Sequence, residues 1–166
     1  MQRNLYTYTY VRRPFDDVAR LLAEDPSRIL QPATERAAGE ARTLRSELSV
    51  ELGRFEVGRD ITIEVGEFEP LSMLAVALPL RWEAETAEAL FPSMEATLEL
   101  QALSLRSPLT QLTLIGSYEP PLGLLGAAGD ALLGKRVAEA AVHRFVCDVA
   151  DRIELALRQE SPVAPV

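Results

Sequence analysis

The chain has 166 residues, of which 48% are hydrophobic and 25% charged, and its formal net charge at pH 7 is −8. This composition is ordinary for a globular protein of one domain and excludes a disordered or collagen-like chain. The negative charge argues against nucleic acid as a partner, because phosphate backbones need a basic face. Basic residues cluster only as two pairs, Arg12 with Arg13 and Lys135 with Arg136.

The single cysteine and the single histidine limit the chemistry that the chain can carry. Cys147 cannot form an internal disulfide, and we expect a partly packed, inert thiol. His143 precedes it by one helical turn and shares its side of the helix, but these two residues alone do not form a catalytic triad. A transition-metal site would rest almost wholly on carboxylates. We therefore assign no catalytic residue, no metal and no cofactor.

Residues 2–11 alternate between two faces and predict strand one, with three tyrosines on one of the faces. Pro14 and the acidic residues that follow predict a helix that ends by Asp25. Asp25 and Pro26 repeat the capping signal, so we expect a second short helix over about Pro26 to Leu30. Residues 33–41 then form a connector, for which a helical conformation stays open.

The hydrophobic period is two from Arg42 to Tyr118, which is typical of consecutive antiparallel strands with one solvated face. Turn residues separate five or six such strands. The predicted inward-facing residues are Leu44, Leu48, Val50, Leu52, Phe55, Val57, Ile61, Ile63, Val65, Leu74, Val76, Leu78, Leu80, Trp82, Met94, Ala96, Leu98, Leu100, Leu112, Leu114, Gly116 and Tyr118.

The last segment, Pro120 to Gln159, predicts a one-sided helix whose regular part, from Asp130 to Arg158, is roughly 43 Å long. Its apolar side contains Val142, Phe145, Val146, Val149, Ile153, Ala156 and Leu157. Its polar side contains Arg144, Asp148, Asp151, Arg152, Glu154 and Arg158. No other segment predicts a comparable helix, so we expect this one to lie across the sheet. The predicted fold is α+β, with a curved antiparallel sheet of six or seven strands around the C-terminal helix and two short helices after strand one.

Two motifs frame this order of elements. Strand one runs into VRRPFDDVARLLAEDP, and the chain closes with GSYEPPLGLLGAAGDALLGKRVAEAAVHRFVCDVADRIE. The first is similar to the strand-to-helix junction of the START-like superfamily, also called SRPBCC, and the second to its last strand, Pro-Pro turn and terminal helix. The resemblance covers the whole chain. It implies a helix-grip fold, a START-like domain over residues 1–160 with a short tail at 161–166, and a deep apolar cavity.

A cavity is also expected on physical grounds, because a long helix on a twisted sheet cannot fill every gap. The candidate ligand-binding residues are Trp82, Tyr118, Leu78, Met94, Leu98, Leu114, Arg59 and Lys135. Trp82 and Tyr118 each offer a large ring with one polar group, as ordinary core or as a wall that orients a ligand. Arg59 points inward if the alternation holds through Gly58, and otherwise reaches solvent at a turn or bulge. Lys135 is either a cation at the cavity mouth or a snorkelling side chain.

We therefore predict binding of a small hydrophobic or amphipathic ligand, lipid-like or polyketide-like, without catalysis. The alternative is an enzyme resembling polyketide cyclases or dehydratases, in which Tyr118, Arg59 or Lys135 polarises a bound carbonyl. Because the superfamily has no universal catalytic motif, the fold leaves this choice open. A hot-dog fold is disfavoured, since its long helix usually comes early. With no apolar signal segment and no run near 18 apolar residues, we expect a cytoplasmic protein.

Overall fold

A computed structural model describes residues 3–48, 61–84, 93–119 and 130–160 of the chain. In chain order the elements are β1 (Arg3–Val11), α1 (Phe15–Glu24), α2 (Pro26–Leu48), β2 (Ile61–Val65), β3 (Glu69–Ser72), β4 (Ala75–Ala84), β5 (Ser93–Ala102), β6 (Thr110–Glu119) and α3 (Asp130–Glu160). They form the predicted α+β, helix-grip arrangement, with one curved antiparallel sheet, two helices after the first strand and a long C-terminal helix. Within the described ranges, no helix is both long and apolar enough to cross a membrane.

The sheet has six strands in the order β1-β6-β5-β4-β2, and β3 also pairs with β4. Strands β4, β5 and β6 form the predicted run of consecutive antiparallel neighbours, and β1 joins beside β6. Residues of one parity face the helices and are largely buried, because that face carries the apolar half of each alternating pattern. The three tyrosines of β1 lie on the opposite, exposed face.

Strands β2 and β3 follow one another along the same edge of β4 and are separated by a break opposite Pro79. The Pro79 carbonyl accepts the Gly66 backbone N–H at 2.8 Å. Proline itself has no N–H to donate to a neighbouring strand, so regular pairing stops at this point. The predicted turn at Gly66 to Pro70 is therefore a short break, and β3 begins again at Glu69.

Helix α2 is much longer than predicted and extends from Pro26 to Leu48. The Asp25 carboxylate caps it by accepting the Arg28 backbone N–H at 3.2 Å, as the Asp-Pro signal indicated. The prediction of a strand from Arg42 was wrong for residues 42–48, while residues 49–60 lie outside the described part. Leu44 and Leu48 are four residues apart, a spacing that fits a helix as well as a strand.

Pro32 lies inside α2 and does not end it. An internal proline destabilises a helix by about 3 kcal/mol, so the helix must gain more than this by packing. The buried residues of α2 recur at helical spacing: Ile29, Leu30, Ala33, Thr34, Ala37 and Ala38. Their burial against the sheet and α3 offsets the proline, and this long-range contribution could not be read from the local sequence.

Helix α3 runs from Asp130 to Glu160 and packs along α2 and β1. Every residue predicted on its apolar side is buried. Asp148, predicted on the polar side, is buried as well, because α2 covers that side of α3. Its carboxylate pairs with Arg36 of α2 at 3.5 Å and with Arg152 one turn along α3. The expectation that no second helix packs along α3 was therefore wrong.

Candidate ligand site

The register of the sheet aligns its inward-facing residues into rows that cross the strands. The first row contains Trp82, Met94, Tyr118 and Arg3. The second contains Leu80, Ala96, Gly116 and Leu5, and the third contains Leu78, Leu98, Leu114 and Thr7. Six of the predicted ligand-binding residues thus share the first and third rows, and all six are buried. Arg59 and the side chain of Lys135 lie outside the part that the structure describes.

Trp82 is held by the protein on both its apolar and its polar sides. Its ring packs edge-to-face on Phe145 of α3, with the centroids 5.1 Å apart and an interplanar angle of 89°. Its Nε1–H donates to the Thr34 hydroxyl of α2 at 3.1 Å, and that hydroxyl donates to the Leu30 carbonyl at 2.9 Å. These contacts join β4 to both long helices.

Tyr118 stands one strand beyond Met94 in the same row and differs from Trp82 in one respect. The residue is 2% exposed, and its hydroxyl proton has no acceptor among the described residues. A buried hydroxyl without a partner destabilises a protein by about 1–3 kcal/mol, so such groups are rare and call for an explanation. The Nε atom of Arg144 shares the property, but that guanidinium has further donors.

Burial raises the pKa of the Tyr118 phenol above its ordinary value of 10.0. Arg3, its cross-strand neighbour on β1, opposes that change in pKa through its positive charge and as a hydrogen-bond donor to the phenol oxygen, and the Glu139 carboxylate of α3 adds to it. The phenol is therefore protonated at neutral pH and can donate a hydrogen bond. Because a guanidinium only donates, the nearby Arg3 gives the phenol proton no acceptor. Sequence reasoning missed Arg3 and Glu139, because it gives neither the β1–β6 register nor the place where α3 crosses the sheet.

The second row, between the two rows of large residues, is filled by small side chains at its centre. Gly116 lies opposite Ala96, and a Cβ atom on Gly116 would come within 2.4 Å of the Glu95 carbonyl oxygen and 2.5 Å of the Ala96 Cβ. Only glycine permits this close approach of β5 and β6. The inner face beside Tyr118 consequently carries little side-chain volume.

His143 and Cys147 make the contact expected from their spacing on α3. The Cys147 Sγ lies 3.7 Å from His143 Nε2, and His143 Nδ1 lies 3.2 Å from the Thr7 hydroxyl of β1. His143 is exposed and Cys147 is half-buried at the side of the helix, away from the row of Tyr118. In the described ranges, no three His, Cys, Asp or Glu side chains are grouped so that they could hold a metal ion.

A separate open groove of about 740 Å³ lies on the outer face of the sheet. One polar row forms much of its lining, and consists of Asn4, Ser117, Glu95, Arg81 and Glu64 in register across five strands. Arg81 stands between two glutamates, which is a common arrangement on a solvated sheet face. None of the predicted ligand-binding residues lines this groove.

No protein-family model matches the chain, and no curated protein matches it in sequence. Among solved structures, the chain is similar to the Zhui aromatase/cyclase from Streptomyces sp. R1128, with 15% identity, a TM-score of 0.49, and coverage of 98% of this chain and 100% of that one. It is also similar to TTHA0849 from Thermus thermophilus, with 14% identity, a TM-score of 0.46, and coverage of 93% and 99%.

Proposed function

We propose that the protein binds a small apolar or amphipathic ligand between the inner face of the sheet and α3, with the Tyr118 hydroxyl donating to a polar atom of that ligand. The observation that carries the proposal is the buried hydroxyl whose proton has no acceptor in the described structure. A ligand oxygen beside it would remove the free-energy penalty of burying an unpaired donor. The equivalent polar atom of Trp82 already has a protein partner, so it does not need one from a ligand.

The surroundings of Tyr118 indicate the chemical class of ligand. Met94 and the small pair Ala96 and Gly116 favour an apolar body, since they offer contact area without polar groups. The raised pKa keeps the phenol protonated, so the ligand atom beside it is an acceptor, such as a carbonyl, ether or hydroxyl oxygen. We infer a mainly hydrocarbon or aromatic molecule with at least one oxygen acceptor.

Competition for a fluorescent apolar probe tests this proposal. N-phenyl-1-naphthylamine reports binding, and the competitors are 2-acetonaphthone and 2-ethylnaphthalene, which have similar shapes but differ in one carbonyl. The native protein should prefer the ketone, and Tyr118→Phe should reduce that preference about two- to tenfold, the size of one hydrogen bond. Tyr10→Phe, at an exposed tyrosine, is the matched control and should leave the preference unchanged. The proposal fails if neither compound displaces the probe, or if Tyr118→Phe keeps the full preference.

The enzyme alternative rests on the same phenol, because a donor beside a carbonyl also polarises it. A second group must then remove a proton from the adjacent carbon. Glu139 is the candidate, because its carboxylate is close enough to Tyr118 to raise the pKa of the phenol. The discriminating measurement is deuterium exchange into the methyl group of 2-acetonaphthone in D₂O, followed by NMR. Exchange that is faster than background and lost in both Tyr118→Phe and Glu139→Gln would indicate catalysis. Binding with only background exchange would indicate a protein that carries or senses its ligand without catalysing a reaction.

A further inference from the structure

The two edges of the sheet are built differently. The β2–β3 edge is broken opposite Pro79, contains Pro70 with a shift of register, and carries Glu64, Glu67 and Glu69. Breaks, prolines and charges are the usual devices that keep a sheet edge from pairing with another chain. This edge is protected by all three.

The β1 edge has neither a break nor a proline, and its one charged residue, Arg3, stands at its first position. Its nine residues pair with β6 in one continuous register, without a bulge or a proline. No charged side chain occurs between Asn4 and Val11. Among the described strands β1 pairs only with β6, so every second residue directs its backbone N–H and C=O away from the sheet. An edge of this kind is a template for one more strand.

Three tyrosines add an exposed stripe to the outer face of this edge. Tyr6, Tyr8 and Tyr10 are 64%, 49% and 45% exposed, and adjacent rings lie 6.3 and 5.9 Å apart. Their exposed area is on the order of 300 Å² per copy, given about 200 Å² for one tyrosine. Pairing at the strand edge covers the sides of the rings that face the second copy and leaves their outer sides in solvent. The rings, the backbone edge and the half-buried Thr7 and Thr9 together supply a small interface of roughly 1,200 Å² or less.

We propose that two copies of this chain pair antiparallel through β1 and form one continuous sheet of twelve strands across a two-fold axis at Thr7. Pairing over the full length of β1 places Tyr6 of one copy opposite Tyr8 of the other, an aromatic cross-strand pair. The inference is independent of the ligand proposed above.

Charge favours a second copy in this orientation. Two chains of net charge −8 repel each other, so a self-contact is best formed by an uncharged segment such as the middle of β1. Antiparallel pairing also brings Arg3 of one copy to the far end of β1 in the other. There the Glu154 carboxylate of α3 accepts the Arg12 backbone N–H at 2.8 Å, on the helix side of the sheet, which Arg3 also faces. Arg12 and Arg13 lie at the same end, and Glu154 also pairs with Arg158 at 3.9 Å, so charge favours the contact mainly because the middle of β1 is uncharged.

Sedimentation equilibrium of the full chain from about 1 µM to about 1 mM tests the pairing, since an interface of this size is weak. We expect a reversible dimer, which Tyr8→Lys weakens at least about tenfold by placing cations close to the two-fold axis. Met73→Lys, at a residue that is 92% exposed in the β3–β4 turn, should leave the dimer intact. A monomer over the whole range, or a dimer that Met73→Lys weakens and Tyr8→Lys does not, would overturn the inference.

Disulfide trapping tests the register without relying on a charged variant. In a Cys147→Ser background, Thr7→Cys lies opposite its own copy, where Cα atoms of facing residues are about 4.5–5.5 Å apart and suit a disulfide. Thr9→Cys faces Leu5 of the second copy and should not crosslink with itself. Preferential oxidation of Thr7→Cys to a covalent dimer is the expected result. Equal crosslinking of both variants, or of neither, contradicts this pairing.

Discussion

Replacing Tyr118 by phenylalanine should stabilise the ligand-free protein, although it deletes a polar atom from the core. In most proteins the removal of a buried hydroxyl is destabilising, because its partner loses a hydrogen bond. Here the hydroxyl proton has no acceptor among the described residues, and the ring itself is retained. The variant removes only the penalty for a buried unpaired donor, and we expect the free energy of unfolding to rise by about 1 kcal/mol.

Thr34→Val is the matched comparison, because it also replaces a buried hydroxyl by an apolar group of similar shape. Thr34 accepts the Trp82 Nε1–H, so this variant leaves a buried donor without its partner. We expect a loss of about 1–3 kcal/mol, opposite in sign to the effect at Tyr118. Urea unfolding followed by the fluorescence of Trp82, the one tryptophan of the chain, measures both.

Addition of saturating 2-acetonaphthone should narrow or reverse the difference in stability between the native protein and Tyr118→Phe. A ligand stabilises the folded state by an amount that rises with the logarithm of its affinity, and only the native protein can donate to the ketone. The reasoning is refuted if Tyr118→Phe is destabilised by more than about 1 kcal/mol without ligand. That result would mean that the hydroxyl is already bonded within the protein.

Three further predictions concern the stability of the protein at alkaline pH, the close approach of β5 and β6 at Gly116, and the contact between α2 and α3. Burial raises the pKa of Tyr118 above 10.0, so the unfolded chain loses this proton at a lower pH than the folded chain does. The stability of the native protein should therefore fall as the pH rises above 10.0, and unfolding series at about pH 9 and about pH 11 should show a smaller loss for Tyr118→Phe than for the native protein. Gly116→Ala should destabilise the protein by about 3 kcal/mol or more in urea, because the new Cβ meets the Glu95 carbonyl oxygen at 2.4 Å, and near-native stability would show that the strands can separate there. Asp148→Ala should lower the free energy of unfolding by about 1–3 kcal/mol, since Asp148 is buried. Arg36→Ala should lower it by less than about 1 kcal/mol, because Arg36 is largely exposed. Equal losses would contradict this difference between the two partners.

The strands of the sheet could be predicted because each has one buried and one solvated face. From Ala75 to Tyr118 the alternation alone identified β4, β5 and β6 and the residues that face the helices. In α3, the apolar stripe identified the buried side. In both cases the local pattern reflects an environment that is uniform along the whole element.

Helix α2 could not be predicted in the same way, because its stability depends on contacts distant in sequence. Pro32 indicated that the helix would end early, and the spacing of Leu44 and Leu48 fitted a helix as well as a strand. The burial of Asp148 was missed for the same reason, since the polar side of α3 would face solvent only if α2 were short. For the candidate site, Tyr118 could be identified as an inward-facing ring, but its unpaired hydroxyl could not, because hydrogen-bond partners depend on the packing of separate elements.

The position of β1 beside β6 has a consequence for synthesis in the cell. Strand β1 is synthesised before the other described strands, but its neighbour is the last of them, and Thr7 contacts His143 across 136 residues of sequence. Such non-local pairing is slow to form. While the intervening segments are translated, this tyrosine-rich strand lacks its described partner β6 and can associate with other nascent chains. A chaperone that covers β1 should therefore reduce such association most before α3 has been synthesised.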